Sequence, residues 1–154
     1  MIEPQVLNRL RHGICAVGYL TVPLEKYNED ATQPYFKVVG TGFLVRSAIV
    51  MTNRHVIEGL AEVQADLGFP DKQQMLLFVT IGEHSRLHPV IRMIRSTFTA
   101  DNEGLDVGFI QFQRKPEEHF QGIEPLALDE SYALRVTQEI AVCGYPYGEA
   151  MLQR

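Results

Sequence analysis

The stretch Ala48–Ile57 reads AIVMTNRHVI, an apolar run that meets the polar pair Thr52-Asn53 and then presents His55 where the chain turns. A histidine at the end of an apolar strand is held rigidly while its ring still reaches a cleft. Imidazole is also the side chain whose ordinary pKa suits proton transfer near neutrality. Structural histidines occupy such places too, so the stretch gains force only from what accompanies it.

Further along, Asp106 opens the run Leu105-Asp106-Val107-Gly108-Phe109-Ile110-Gln111-Phe112, in which nearly every following position is apolar. A carboxylate at the mouth of a strand buried on both faces is costly unless a partner satisfies it. A histidine Nδ1–H is such a partner. A water-exposed turn-capping aspartate is the plainer reading, and Asp101 and Glu103 just upstream suit that role better.

Outward from these two segments the pattern is all-β, with β-branched and aromatic runs bounded by Gly, Pro, Asn and Asp. It predicts strands over His12–Val22, Tyr35–Val45, Ala48–Thr52, Met75–Ile81, His88–Ser96, Val107–Gln113 and Gln138–Gly144. Pro4–Arg11 is expected to make one or two helical turns, and Pro23–Pro34 a surface loop. Glu58–Leu67 reads as a helix ended by Gly68 and Pro70. Gly40-Thr41-Gly42 inside a strand suggests a bulge or a close backbone approach. Six antiparallel strands can close into a barrel without edges. The expected organisation is therefore a barrel over residues 1–113, a linker over 114–135, and the start of a second, incomplete barrel over 136–154.

Gly40-Thr41-Gly42-Phe43-Leu44-Val45, Met51-Thr52-Asn53-Arg54-His55-Val56 and Leu105-Asp106-Val107-Gly108-Phe109-Ile110 together resemble the chymotrypsin-like serine proteases, in particular their bacterial HtrA-type branch. Pro125-Leu126-Ala127-Leu128 and Val136–Gly148 look like that branch's interdomain linker and the first strand of its second barrel. The resemblance implies a Ser-His-Asp endopeptidase acting on polypeptides, with His55 as general base and Asp106 as its orienting acid. Arg54 stands where the family usually has a smaller or neutral residue. The family's serine lies in a Gly-x-Ser-Gly turn whose N–H groups form the oxyanion hole. Ser47, Ser85, Ser96 and Ser131 are the only serines, and none has that context. The expectation is an N-terminal portion that lacks its nucleophile and is inactive alone. The alternative is a non-catalytic barrel that binds peptides or proteins.

Composition narrows the remaining classes. A net charge of −5, with only Arg9, Arg11 and His12 clustered, argues against nucleic-acid binding. No stretch has the length of a membrane span, and Met1–Arg11 lacks the features of an export signal, so a cytoplasmic location is expected. Cys15 and Cys143 both fall in apolar runs and read as buried free thiols rather than a disulfide. His84 and His88 have a metal-ligand spacing only on a helix, whereas here they flank a β-turn; His12 and His119 have no partner pattern. No metal or cofactor is expected. The apolar strand around Ile140–Cys143, without barrel partners in the chain, points to association of copies or an extended terminus.

Overall fold

In the computed structural model, the described residues are 4–67, 73–81, 87–113, 123–127, 133, 136 and 143–145. They form α1 (Pro4–Gly13), β1 (Ile14–Leu20), α2 (Leu24–Glu29), β2 (Phe36–Arg46), β3 (Ile49–Thr52), α3 (Arg54–Leu67), β4 (Gln74–Ile81), β5 (Leu87–Thr99) and β6 (Gly108–Phe112).

The alternation in β6 shows how the strands close. Gly108, Ile110 and Phe112 are buried, whereas Phe109 and Gln111 are only partly covered. Val50 pairs with Ile110 on one side and with Leu44 on the other, so three apolar side chains form one inward layer. Continued around the ring, the order is β1-β2-β3-β6-β5-β4, antiparallel throughout and closed by β4 on β1. Cys15, Val17, Leu76, Phe78 and Ile94 fill the same interior, and the Phe78 and Phe112 rings meet at 5.8 Å between centroids. The fold is thus the expected six-stranded antiparallel barrel.

Outside the barrel wall lies a second apolar layer of Ala16, Leu20, Phe36, Met75 and Leu77. It explains why β1 reads ICAVGYL with hardly a polar residue: the strand is buried on both faces. Part of its cover is α2, which corrects the expectation of a plain surface loop over Pro23–Pro34. Tyr27 of α2 is buried in this outer layer, and its N–H donates to the Pro23 carbonyl at 3.1 Å. Six residues, LEKYNE, are too few to show a helical period.

Helix α3 begins at Arg54, four residues ahead of the expected start. Val56, Ile57 and Leu60 are all buried and belong to the interior cluster, so the first turns of α3 plug one end of the barrel. Two glycines leave room for the plug. A Cβ on Gly40 would lie 2.4 Å from a Val56 methyl, and one on Gly108 would lie 2.4 Å from Ile57 Cδ1. The pairing of β1 with β2 slips beside Gly40, so the expected bulge and the close approach both occur there. Strand β5 runs on to Thr99, past the expected end at Ser96, after a register shift between Ile94 and Ser96.

Beyond the barrel, the Glu124 N–H donates to the His12 carbonyl at 3.3 Å and the Leu126 N–H to the Leu44 carbonyl at 2.7 Å. Ile123 is buried in the interior cluster. Of the segment expected to begin a second barrel, Gly144 sits against Thr41, and the Tyr145 N–H donates to Thr41 Oγ at 2.8 Å. Cys143 is exposed, which corrects its reading as a core thiol; Cys15 is buried as expected. The rest of Gln138–Gly144 lies outside the described residues.

Candidate functional site

Thr52, the last residue of β3, pairs with Gly108, the first of β6. The two strands are antiparallel neighbours, so the chain leaving β3 and the chain entering β6 meet at the same end of the barrel. That register brings residues 53–55 beside residue 106. The Thr52 hydroxyl donates to the Thr41 carbonyl at 2.7 Å, which fastens the end of β3 to β2.

Asp106 accepts from two residues of the opposite chain, Asn53 and His55. Its Oδ1 takes the backbone N–H of His55 at 3.0 Å. Its Oδ2 lies 2.7 Å from His55 Nδ1 and 3.1 Å from Asn53 Nδ2. Asn53 also donates to the Asp106 backbone carbonyl at 3.1 Å. An ionised carboxylate can only accept, so the shared proton sits on Nδ1, and the neutral ring is left with its acceptor lone pair on Nε2. His55 and Asp106 side chains are 69% and 52% exposed, so the ring is open to an incoming group.

The N–H that Oδ1 takes belongs to the first turn of α3, where helical N–H groups have no partner within the helix. Asp106 therefore caps α3 from across the sheet while also orienting the ring. A negative charge at this end is favoured by the helix dipole, and α3 has no acidic residue of its own in its first turn. The His55 backbone N–H is the main cause holding the Asp106 carboxyl below the usual carboxylate range. The side-chain bond and the charge of His55, and the Asn53 amide, act in the same direction. The location corrects one premise of the sequence reading: Asp106 sits in an exposed loop segment just ahead of β6, and its partners rather than burial single it out.

Arg54 turns back toward the chain that leads into Asp106. Its Nε donates to the Leu105 carbonyl at 3.4 Å, and its Nη2 donates to the carbonyls of Ala100 and, at 3.1 Å, Asn102. Neither Asn53 nor Arg54 announced these contacts in the sequence, because the partners lie some fifty residues away. The local signal was only the polar pair ahead of the histidine.

The described serines stand apart from this end. Ser47 lies in the turn joining β2 to β3, at the opposite end of β3. Ser96 donates to Gln111 Oε1 at 3.1 Å, and Gln111 pairs with Ile49, three positions from the Thr52–Gly108 pair. At about 3.3 Å per residue that is about 10 Å along the sheet. Ser85 and Ser131, like His84 and His119, lie outside the described residues. His88 pairs with Thr80 across the β4–β5 hairpin, so the helical ligand spacing does not arise there.

A family model described as a trypsin-like peptidase domain matches residues 40–153. No curated protein matches the chain.

Proposed function

The chain belongs to the trypsin-like peptidase family, and from that premise we propose that it carries the general base and the orienting carboxylate of a serine endopeptidase. One observation carries the reading: the 2.7 Å contact of His55 Nδ1 with Asp106 leaves Nε2 as the acceptor, in an exposed position. In the proposed reaction Nε2 takes the proton of a serine hydroxyl as its oxygen attacks the scissile carbonyl. Asp106 stabilises the imidazolium so formed, and Nε2 then returns the proton to the departing amine. Water repeats the sequence on the acyl-enzyme.

The nucleophile in this proposal comes from a Gly-x-Ser-Gly turn beyond residue 154. The remote places of Ser47 and Ser96 and the family's His-Asp-Ser order support that assignment. The likeness of residues 51–56 and 105–110 to the HtrA-type branch makes that branch the proposed subfamily, with polypeptides as substrates.

A serine-directed fluorophosphonate tests the reading. It should label the product of the gene's full reading frame and spare both its His55→Ala variant and the 154-residue chain. Asp106→Asn in the full product should lower kcat by about 10⁴-fold, the scale of the same change in other Ser-His-Asp triads. Label on the 154-residue chain that depends on His55 would overturn the placement of the nucleophile. A full product that neither labels nor cleaves peptides would leave the barrel as a binding module.

A further inference from the structure

We propose that Arg54 is a positioning residue: its guanidinium braces the loop 100–106 so that the Asp106 carboxylate meets His55. The proposal rests on the reading of His55 and Asp106 as a working pair. It starts from how little else holds the loop. The loop is closed at its base by the Ala100 N–H on the Val107 carbonyl, 3.2 Å, and turned at its tip by the Leu105 N–H on the Asn102 carbonyl, 3.0 Å. The Gly104 N–H on Asn102 Oδ1, 2.9 Å, supports the same turn. Residues 101–106 are all exposed, and the one large apolar side chain among them, Leu105, is 51% exposed. Burial therefore contributes little to fixing the loop, and Gly104 adds backbone freedom.

Arg54 supplies what burial does not. One planar group donates to the carbonyls of Ala100, Asn102 and Leu105, at the start, middle and end of the loop. Charge-assisted bonds from a rigid fork fix both distance and orientation, which a single ammonium point does not. Its location strengthens the argument. A cation in the first turn of a helix is opposed by the helix dipole, so Arg54 sits at an electrostatically unfavourable place on α3. The loop it faces carries Asp101, Glu103 and Asp106, so the guanidinium turns toward an acidic stretch of chain. Asn53, Arg54 and His55 thus all bond across to this loop: Asn53 and His55 to Asp106 itself, Arg54 to the chain that delivers it.

The test reads the His55–Asp106 contact directly in the 154-residue chain, without catalysis. Proton NMR of the native chain should show a downfield His55 Nδ1–H resonance that Asp106→Asn removes. Arg54→Ala should abolish or strongly weaken that resonance and raise amide exchange in residues 101–106 about tenfold or more, while β1 and β4 amides stay protected. Arg54→Lys, which keeps the charge without the fork, should give an intermediate signal. It also decides the matter if Arg54→Ala fails to fold. A resonance that Asp106→Asn removes but that is unchanged in the folded Arg54 variants would overturn the positioning role. A resonance that survives Asp106→Asn would instead overturn the paired reading of His55 and Asp106.

Discussion

At the scale of single residues, Asp106 does two jobs with two oxygens. Oδ1 caps α3 and Oδ2 holds the imidazole. Asparagine is therefore an informative replacement: its one acceptor can keep the backbone N–H of His55, but its amide nitrogen then faces Nδ1 and favours the other tautomer. The pH dependence follows from the same contacts. Its native pKa is held below the ordinary carboxylate value by partners that prefer the ionised form, the His55 backbone N–H first. The unfolded chain thus binds this proton more readily than the native one. The stabilisation is fully present above the ordinary carboxylate pKa of about 3.9 and is lost as pH falls through the lower native value. We expect carboxyl carbon NMR to show Asp106 titrating below the ordinary aspartate value of about 3.9, with the His55 Nδ1–H signal disappearing over the same acidic range. An Asp106 midpoint at or above that ordinary value would show that the contacts do not persist in solution.

Secondary elements were legible in proportion to how much of their cause is local. The strands could be read because β-branched and aromatic runs carry their own signal, and the barrel followed from their number. The start of α3 could not. Thr52-Asn53-Arg54 looks like a turn, and the carboxylate that caps the helix stands at Asp106, fifty-one positions from His55, where no local pattern shows it. Asn53 stands where a helix-capping side chain is expected, yet its amide is committed to Asp106. The glycines that admit α3 were visible, but their reason was not until Val56 and Ile57 were placed against them. The two should respond differently to a methyl group. At Gly40 the obstruction is Val56, with two methyls at 2.4 and 2.9 Å and the Cβ itself at 3.2 Å. Valine is stiff about χ1 in a helix, so the helix itself must move. At Gly108 the nearest atom is the far end of Ile57, which can rotate aside. Gly40→Ala should cost about 1–3 kcal/mol in urea unfolding, the usual scale of overpacking, and more than Gly108→Ala. It should also broaden the His55 resonances, because Val56 is the next residue along α3. Equal midpoints for both variants and the parent chain would mean that the helix does not press on the barrel end.

For the whole molecule, the sequence reading captured one apolar layer and missed the second. A closed barrel needs only its interior filled, yet β1 and β4 are apolar on both faces. The outer layer is met by α2 and by Tyr145, a residue 104 positions from the Thr41 hydroxyl that takes its N–H. Burial, and then the nearby Cys15 group, push the Tyr145 phenol up to about 12, as suits a ring packed on the wall rather than free in water. The two cysteines differ in exposure. Cys15 sits on β1 inside the barrel with no exposed surface, and burial pushes its thiol up. Cys143 is exposed two residues before Tyr145. Only the thiolate attacks a disulfide reagent, and it must also be reachable. Cys15 should therefore wait for unfolding, which at the usual stability of about 5–15 kcal/mol slows its reaction at least about a thousandfold. We expect the native chain to release one equivalent of thionitrobenzoate promptly and the second only in denaturant, with Cys143→Ser removing the prompt equivalent. A prompt reaction that survives Cys143→Ser would mean that the β1 wall opens in the native state. Protection of Cys143 that grows with protein concentration would mean that a second copy covers this segment, the association anticipated from its apolar sequence.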